Sequence, residues 1–285
     1  MPELPEVTTV IKVLKDNGII NKKIIDTKVL KPKVIKNTTT KNFIKFFKNE
    51  KVLDIERRGK YIIFCLTNNK YWMVHLRMEG KLFFEKNDKD ISARHLMCQM
   101  FFNNNYVLGY YDSRMFGTFH IFNDRESLEN SKELKKIAID PLDKNFTPEF
   151  LFKRINKVNR AIKTTILDQS LVSGIGNIYA DEILFASGIN PMILAKDITL
   201  EQCKKIVKNA KAILKDAIRF NGTTVFSFKF EMNHSGEYQK YLKIYGHKNE
   251  PCSVCGTKIL KTKLNGRGTY YCPKCQPLKK AKKRS

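Results

Sequence analysis

Apolar positions near the start of the chain recur at helical spacing. Val7, Val10, Ile11 and Leu14, behind Pro5 in a first-turn position, predict a short amphipathic helix closing at Asn17-Gly18. From about Ile24 to Phe122 the pattern changes to short strands. Val52 to Arg57 alternates in part, and Lys60 to Leu66 reads as a buried strand. Asn68-Asn69 turns the chain into a further run, Tyr71 to Leu76. Leu96–Phe102, Asn103-Asn104-Asn105 and Tyr106–Tyr111 predict a hairpin. Many short strands joined by polar turns point to an antiparallel sandwich or barrel.

Residues 123–146, polar and charged, read as a linker. The period then becomes helical. Thr147-Pro148-Glu149 is an N-cap followed by proline, and Thr199-Leu200-Glu201-Gln202 is a capping box. The box opens a helix with Cys203, Ile206, Val207, Ala210, Ile213, Leu214, Ala217 and Ile218 on one face, ending at Asn221-Gly222. Residues 147–222 are thus expected to be a helical module. Residues 223–242 read as irregular, with Phe226, Phe228, Phe230, Asn233, Gly236 and Tyr238, and residues 277–285 as a basic, disordered tail. The expected class is α+β and multidomain.

Composition narrows the field. A length of 285 residues fits two domains, at about 100–200 residues each. No run approaches the roughly 18 apolar residues of a membrane span. The opening Met1-Pro2-Glu3-Leu4-Pro5-Glu6 has neither the basic nor the apolar region of a secretory signal, so a cytoplasmic protein is expected. Lys and Arg number 53 against 28 Asp and Glu, a net charge of +25. Such an excess suits a polyanionic partner, nucleic acid before an anionic membrane surface. Coding bias toward lysine accounts for the size of the charge better than for its sign.

Seven cysteines, an odd number, argue against a disulfide framework. Four of them, Cys252-x2-Cys255 and Cys272-x2-Cys275, have the spacing of a tetrahedral zinc site. Four protein ligands leave no open position, so one structural zinc ion per chain is expected. Between the pairs, Asn265-Gly266 predicts a tight hairpin with Arg267 near its tip.

The N-terminus carries candidate chemistry. Met1-Pro2 predicts removal of the initiator methionine and a free proline amine. An α-amino group titrates near pH 8, well below a lysine, and attacks electrophilic carbon through an iminium intermediate. Glu3 beside it is a candidate general acid or base. On its own a Met-Pro start is common and signifies nothing.

Several motifs occur together. They are Pro2-Glu3-Leu4-Pro5-Glu6-Val7, Arg58-Gly59-Lys60-Tyr61, Asp112-Ser113-Arg114-Met115-Phe116-Gly117, Asp168-Gln169, Gly174-Ile175-Gly176-Asn177-Ile178-Tyr179-Ala180-Asp181-Glu182, Gly266-Arg267-Gly268-Thr269 and Tyr271-Cys272-Pro273-Lys274-Cys275-Gln276. In this order, from residue 2 to about 276, the set resembles the formamidopyrimidine-DNA glycosylases of bacterial base-excision repair. The resemblance implies a catalytic β-sandwich with a leading helix (1–122), a helix–two-turns–helix module (147–222), a lesion-recognition loop (223–242) and a zinc finger (243–276). It implies a monomer acting on damaged duplex DNA in the cytoplasm, at the nucleoid.

It also implies roles for particular residues. Pro2 would attack C1′ of an extruded nucleotide, Glu3 would protonate the sugar ring oxygen, and Lys60 would sit near nucleophile and phosphate. Met78, Arg114 and Phe116 would fill the hole left in the base stack. His75, Lys163, Asn177 and Arg267 would hold phosphates. The chain departs from the family pattern at Arg77, where Gly is common, at Glu79 (Ser or Thr), at Met115 (a basic residue) and at His247 (Arg). The leading expectation is a bifunctional glycosylase and AP lyase for oxidised purines. An endonuclease VIII-like enzyme for oxidised pyrimidines and a non-catalytic zinc-containing nucleic-acid binder are the alternatives.

Overall fold

The structure is a computed structural model and describes residues 1–87, 94–223 and 236–278. The chain forms two compact units, Met1–Lys135 with Phe220–Glu237, and Lys136–Arg219 with Tyr238–Ser285.

The first unit opens with α1 (Leu4–Asp16), whose apolar face buries Val7, Val10, Ile11 and Leu14. Strands β1 (Ile24–Val29), β2 (Val52–Arg58), β3 (Tyr61–Leu66), β4 (Tyr71–His75), β5 (Lys81–Lys86), β6 (Leu96–Phe102), β7 (Tyr106–Tyr111) and β8 (Thr118–Phe122) follow. They pair antiparallel in two four-stranded sheets, ordered β1-β6-β7-β5 and β2-β3-β4-β8. Their shared core centres on Trp72, which stacks on Phe64 at 4.5 Å and meets the edges of Phe47 and Phe119.

Two helices in this unit were not expected. Helix α2 (Thr40–Phe47) is capped by Thr39, whose hydroxyl accepts from Asn42 N, and it buries Phe43, Phe46 and Phe47. Those positions have helical spacing, but phenylalanines favour strands in isolation, so the local signal was ambiguous. Helix α3 (Arg125–Glu129) lies inside the expected linker, started by Asp124, which accepts from Ser127 N at 2.6 Å.

The second unit holds α4 (Pro148–Ile155), α5 (Ile162–Ile166), α6 (Asn177–Ala186), α7 (Leu200–Arg219) and the hairpin β9 (Leu260–Leu264) and β10 (Arg267–Tyr271). The expected caps form. Phe150 N donates to Thr147 Oγ1 at 3.1 Å, and Thr199 and Gln202 exchange reciprocal bonds of 2.9 and 3.2 Å. Helix α6 is buried nearly all round, including its adjacent acids Asp181 and Glu182. Buried carboxylates must be paired or hydrogen-bonded. Glu182 accepts from the backbone N–H groups of Lys243, Ile244 and Tyr245, and Asp181 accepts from Tyr270 N. The two acids thus fasten both the entry segment and the second strand of the cysteine module to one helix.

The segment 223–242 divides between the units at Glu237. Its described end carries a 3-10 turn at Tyr238–Tyr241. Phe226, Phe228, Phe230 and Asn233 lie outside the described residues, as does the tail from residue 279.

Candidate active site and nucleic-acid interface

Pro2 and Glu3 are buried at the head of α1, where Glu3 is the N-cap. Glu3 and Glu6 form a capping box. The Glu3 side chain accepts from the Glu6 backbone, and Glu6 Oε2 accepts from Glu3 N at 2.8 Å. The other Glu6 oxygen accepts from Thr223 N at 2.8 Å. Gly222 beside it has φ +74°, and a Cβ there would stand 2.6 Å from Glu6 Oε1. A side chain at 222 would therefore meet both backbone strain and the carboxylate.

The terminal amine, carried here by Met1, is pushed below its ordinary value of 8.0, chiefly by burial. Lys60 pushes in the same direction, while Glu3, Glu6 and Glu79 oppose it. Lys60 is buried in the two-residue turn between β2 and β3, where Gly59 takes φ +55°. The chain terminus is thus a poorly solvated amine among three carboxylates and one ammonium.

Sheet register brings the remaining first-unit candidates to one end of the sandwich. Tyr61 pairs with His75, and His75 with Thr118. The β4–β5 loop leaves from His75 and the β7–β8 loop arrives at Thr118. On the facing sheet the same loops meet at the pair Lys81 and Tyr111. Met78 is 40% exposed on the first loop, and Phe116 is 48% exposed on the second. The Arg114 guanidinium lies over the Phe116 ring at 4.7 Å.

Both loops are built against one post. Tyr110 is buried, and a Cβ on Gly80 or Gly117 would stand 2.5 or 1.7 Å from its hydroxyl. Asp112, also buried, accepts from that hydroxyl at 3.2 Å, from Gly117 N at 2.8 Å and from Arg114 N at 3.0 Å. Arg77 and Met115 have φ +54° and +53°. That conformation favours glycine, so both residues carry backbone strain at the loop tips.

His75 is buried with its ring edge-on to Tyr61. Its Nδ1 accepts from Arg77 N at 3.0 Å, which leaves Nε2 as the donor nitrogen. Burial, reinforced by Arg77, Lys60 and His120, pushes its pKa down to about 3. The ring is a neutral donor.

In the second unit the expected phosphate residues divide. Arg267 is exposed at the start of β10, beside a turn in which Asn265 and Gly266 take φ +45° and +76°. Both residues have the positive φ of the expected tight turn. Asn177 opens α6, and its Nδ2 donates to Gly268 O at 3.0 Å. The side-chain amide is committed to the hairpin. Lys163 corrects the expectation of a phosphate contact. It is 1% exposed, 2.8 Å from Asp181 Oδ1, and donates to Gly268 O and Thr269 Oγ1 at 2.8 and 2.9 Å. Its charge is neutralised inside the fold, so it holds the hairpin and leaves phosphates to others. Burial raises the Asp181 carboxyl, and Lys163 pulls it back.

The ligand atoms of Cys252, Cys255, Cys272 and Cys275 all lie within 4.8 Å of one another. Tetrahedral zinc with bonds of about 2.3 Å places its sulfurs roughly 3.8 Å apart. The Cys252–Cys275 and Cys255–Cys272 separations are 3.8 and 3.5 Å. Hydrogen bonds from Thr257 pull the Cys255 thiol down to about 6, toward the thiolate that zinc requires. Gln276 steadies the second pair. Its side chain accepts from Cys272 N at 3.0 Å and donates to Ile189 O at 2.8 Å. The donor set fits one structural zinc.

The comparisons with known proteins agree with this geometry. Residues 1–119 match the formamidopyrimidine-DNA glycosylase N-terminal domain, 137–229 the formamidopyrimidine-DNA glycosylase H2TH domain, and 249–278 the zinc finger found in FPG and IleRS. The formamidopyrimidine-DNA glycosylase of Ureaplasma parvum is 50% identical over 97% of this chain and 100% of its own. The chain belongs to the formamidopyrimidine-DNA glycosylase family. The Mycoplasma pneumoniae member is also 50% identical, over 97% of this chain and 99% of its own. Among solved structures, a wild-type Lactococcus lactis Fpg with N7-benzyl-Fapy-dG DNA matches with TM-score 0.90, 33% identity, and 97% and 100% coverage. The same enzyme with abasic-site DNA matches with TM-score 0.90 at 32% identity, over 96% of this chain and 99% of that one. The family comprises zinc-finger DNA repair glycosylases with AP lyase activity. Among the described residues no helix is long and apolar enough to cross a membrane.

Glu6, Tyr110, Asp112 and Asp181 were not singled out from the sequence as positioning residues. The available signal was an acid within an apolar stretch, as at Asp181 and Glu182.

Proposed function

We propose that this chain removes oxidised purines, 8-oxoguanine and formamidopyrimidines, from duplex DNA and then cleaves the strand at the resulting site. The observation that carries the reading is the terminal amine beside Glu3 and Lys60, with its pKa lowered. Removal of Met1 transfers that environment to the proline nitrogen. The Pro2 amine attacks C1′ and the damaged base departs. Glu3 gives a proton to the sugar ring oxygen, the ring opens, and C1′ is held as an iminium on Pro2. Loss of a C2′ proton expels the 3′ phosphate, and a second elimination expels the 5′ phosphate. Hydrolysis of the iminium returns the free amine.

The extrusion this needs is supported by the exposed Met78, Arg114 and Phe116 on their shared post. His75, Asn177 and Arg267 would hold phosphates, and a net charge of +25 suits that contact. Such a substrate places the protein with the chromosome in a bacterial cytoplasm. Met1–Lys135 would be the catalytic part, and the α4–α7 module, through the Asn177 end of α6, and the zinc hairpin the DNA-holding parts.

Covalent trapping tests the reading. The chain lacking Met1 is incubated with a duplex carrying 8-oxoguanine opposite cytosine, then reduced with borohydride and digested for mass analysis. An adduct on Pro2 is expected. An adduct formed only with an oxidised pyrimidine would overturn the purine assignment. Absence of an adduct even with an abasic site would overturn the lyase chemistry.

A further inference from the structure

Helix α6 has ten residues, a length of about 15 Å. Its N-terminal end carries Asn177 and the hairpin contact. At its C-terminal end, within the same unit, lies a concavity of about 620 Å³ formed with α7 and the cysteine module. Lys205, Lys208 and Lys243 line it, all exposed. Asn209 donates to Ser187 Oγ within it at 3.1 Å, and Val254 on its wall is 71% exposed.

None of these three lysines has an ion-pair partner among the described residues. Their neighbour Lys204, also exposed on α7, is paired with Glu201 at 2.5 Å. Three ammonium groups around one hollow repel one another until an anion enters. The volume admits a few side chains. It does not suit the convex rod of a duplex, and phosphates have no use for an aliphatic wall. The thiolate centre at Cys275 adds negative charge nearby, so zinc retention must be read alongside binding.

We propose that this groove docks an acidic segment of a protein partner, with carboxylates on Lys205, Lys208 and Lys243 and an aliphatic side chain against Val254. Within its own unit the groove lies at the end of α6 opposite Asn177 and the hairpin that carries Arg267, so partner and substrate are expected to bind together. Carboxylate–lysine contacts at an open groove give a weak, salt-sensitive complex.

The test uses the zinc-loaded full chain saturated with a duplex carrying a tetrahydrofuran abasic analogue, which cannot form the iminium and so is not cleaved. The probe is a fluorescein-labelled peptide of four aspartates and a leucine, followed by anisotropy. Binding is expected, weakened at least tenfold by Lys205→Glu with Lys208→Glu, and little changed by Lys41→Glu with Lys45→Glu on α2. Excision and zinc content are expected to stay at the parent level in both double variants. No binding at millimolar peptide, or equal losses in the two variants, would overturn the proposal. A fall in DNA affinity in the groove variant would place DNA there instead, and a fall in zinc content would assign the lysines to the thiolate centre. Either result would also overturn it.

Discussion

Lys163 sets its ammonium 2.8 Å from Asp181, and solvent reaches neither side chain. Removing one partner strands a buried charge, at about 3–5 kcal/mol. Lys163→Met is expected to lower Tm markedly and to weaken duplex binding by loosening Gly268 and Thr269. Lys163→Met with Asp181→Leu should recover most of the stability and little of the affinity, because the hairpin still lacks its donor. Thermal melting and a DNA titration of both variants check this. A single variant that melts like the parent would remove the argument.

His75 makes stability depend on acid. Its folded pKa of about 3 lies below the ordinary 6.5, so the folded state prefers the neutral ring. The contribution is therefore complete above pH 6.5 and declines as pH falls toward 3, by up to about 1.4 kcal/mol per unit. His120, also pushed down by burial, titrates in the same direction. His75→Gln should flatten the loss of stability between pH 6.5 and 4 without abolishing it. Urea unfolding at several pH values measures the slopes.

The loops carrying Met78 and Phe116 depend on the space beside Tyr110. Gly117→Ala puts a Cβ where the hydroxyl stands. Excision is expected to fall at least tenfold, with Gly117→Ala and Tyr110→Phe together restoring part of it. Fluorescence of 2-aminopurine opposite the lesion would follow extrusion separately from chemistry. No recovery in the double variant would mean that the ring, and not its hydroxyl, sets the clearance.

Lys60 helps hold the terminal amine below its ordinary pKa. Lys60→Met therefore raises the amine pKa, and the rising limb of the trapping rate should move to higher pH. Glu3→Gln removes an opposing charge, so it should move that limb to lower pH while slowing the reaction. Borohydride trapping on abasic DNA across pH 6 to 9 gives both profiles.

Zinc removal should act locally first. Chelation, or Cys275→Ser, is expected to abolish duplex affinity while far-ultraviolet circular dichroism keeps the signals of α1 and the two sheets. Metal analysis should return one zinc per chain before treatment.

Much of this was legible in the sequence because the signals are local. The cap at Thr147, the box at Thr199, the turn at Asn265-Gly266 and the paired cysteines each act over a few residues. The post at Tyr110 was not legible, because it depends on two loops far apart in sequence meeting one hydroxyl. Lys163 was misread for a related reason. Its motif position suggested a phosphate, whereas its partner Asp181 is 18 residues on and Thr269 is 106 away. The helix α2 was hidden by phenylalanines whose spacing is helical and whose individual preference is for strands.

Glu6 bonds Glu3 N on one side and Thr223 N on the other, across 217 positions of sequence. The unit that holds the reactive terminus is thus discontinuous, and its closing segment is Phe220–Glu237. During synthesis the first residues to leave the ribosome must wait for nearly four-fifths of the chain before that carboxylate finds its second partner. The head of α1 is therefore not finished early. It is completed only after α4 to α7 have been made, and a nascent chain stalled before Thr223 lacks the bond that fixes the head of its first helix.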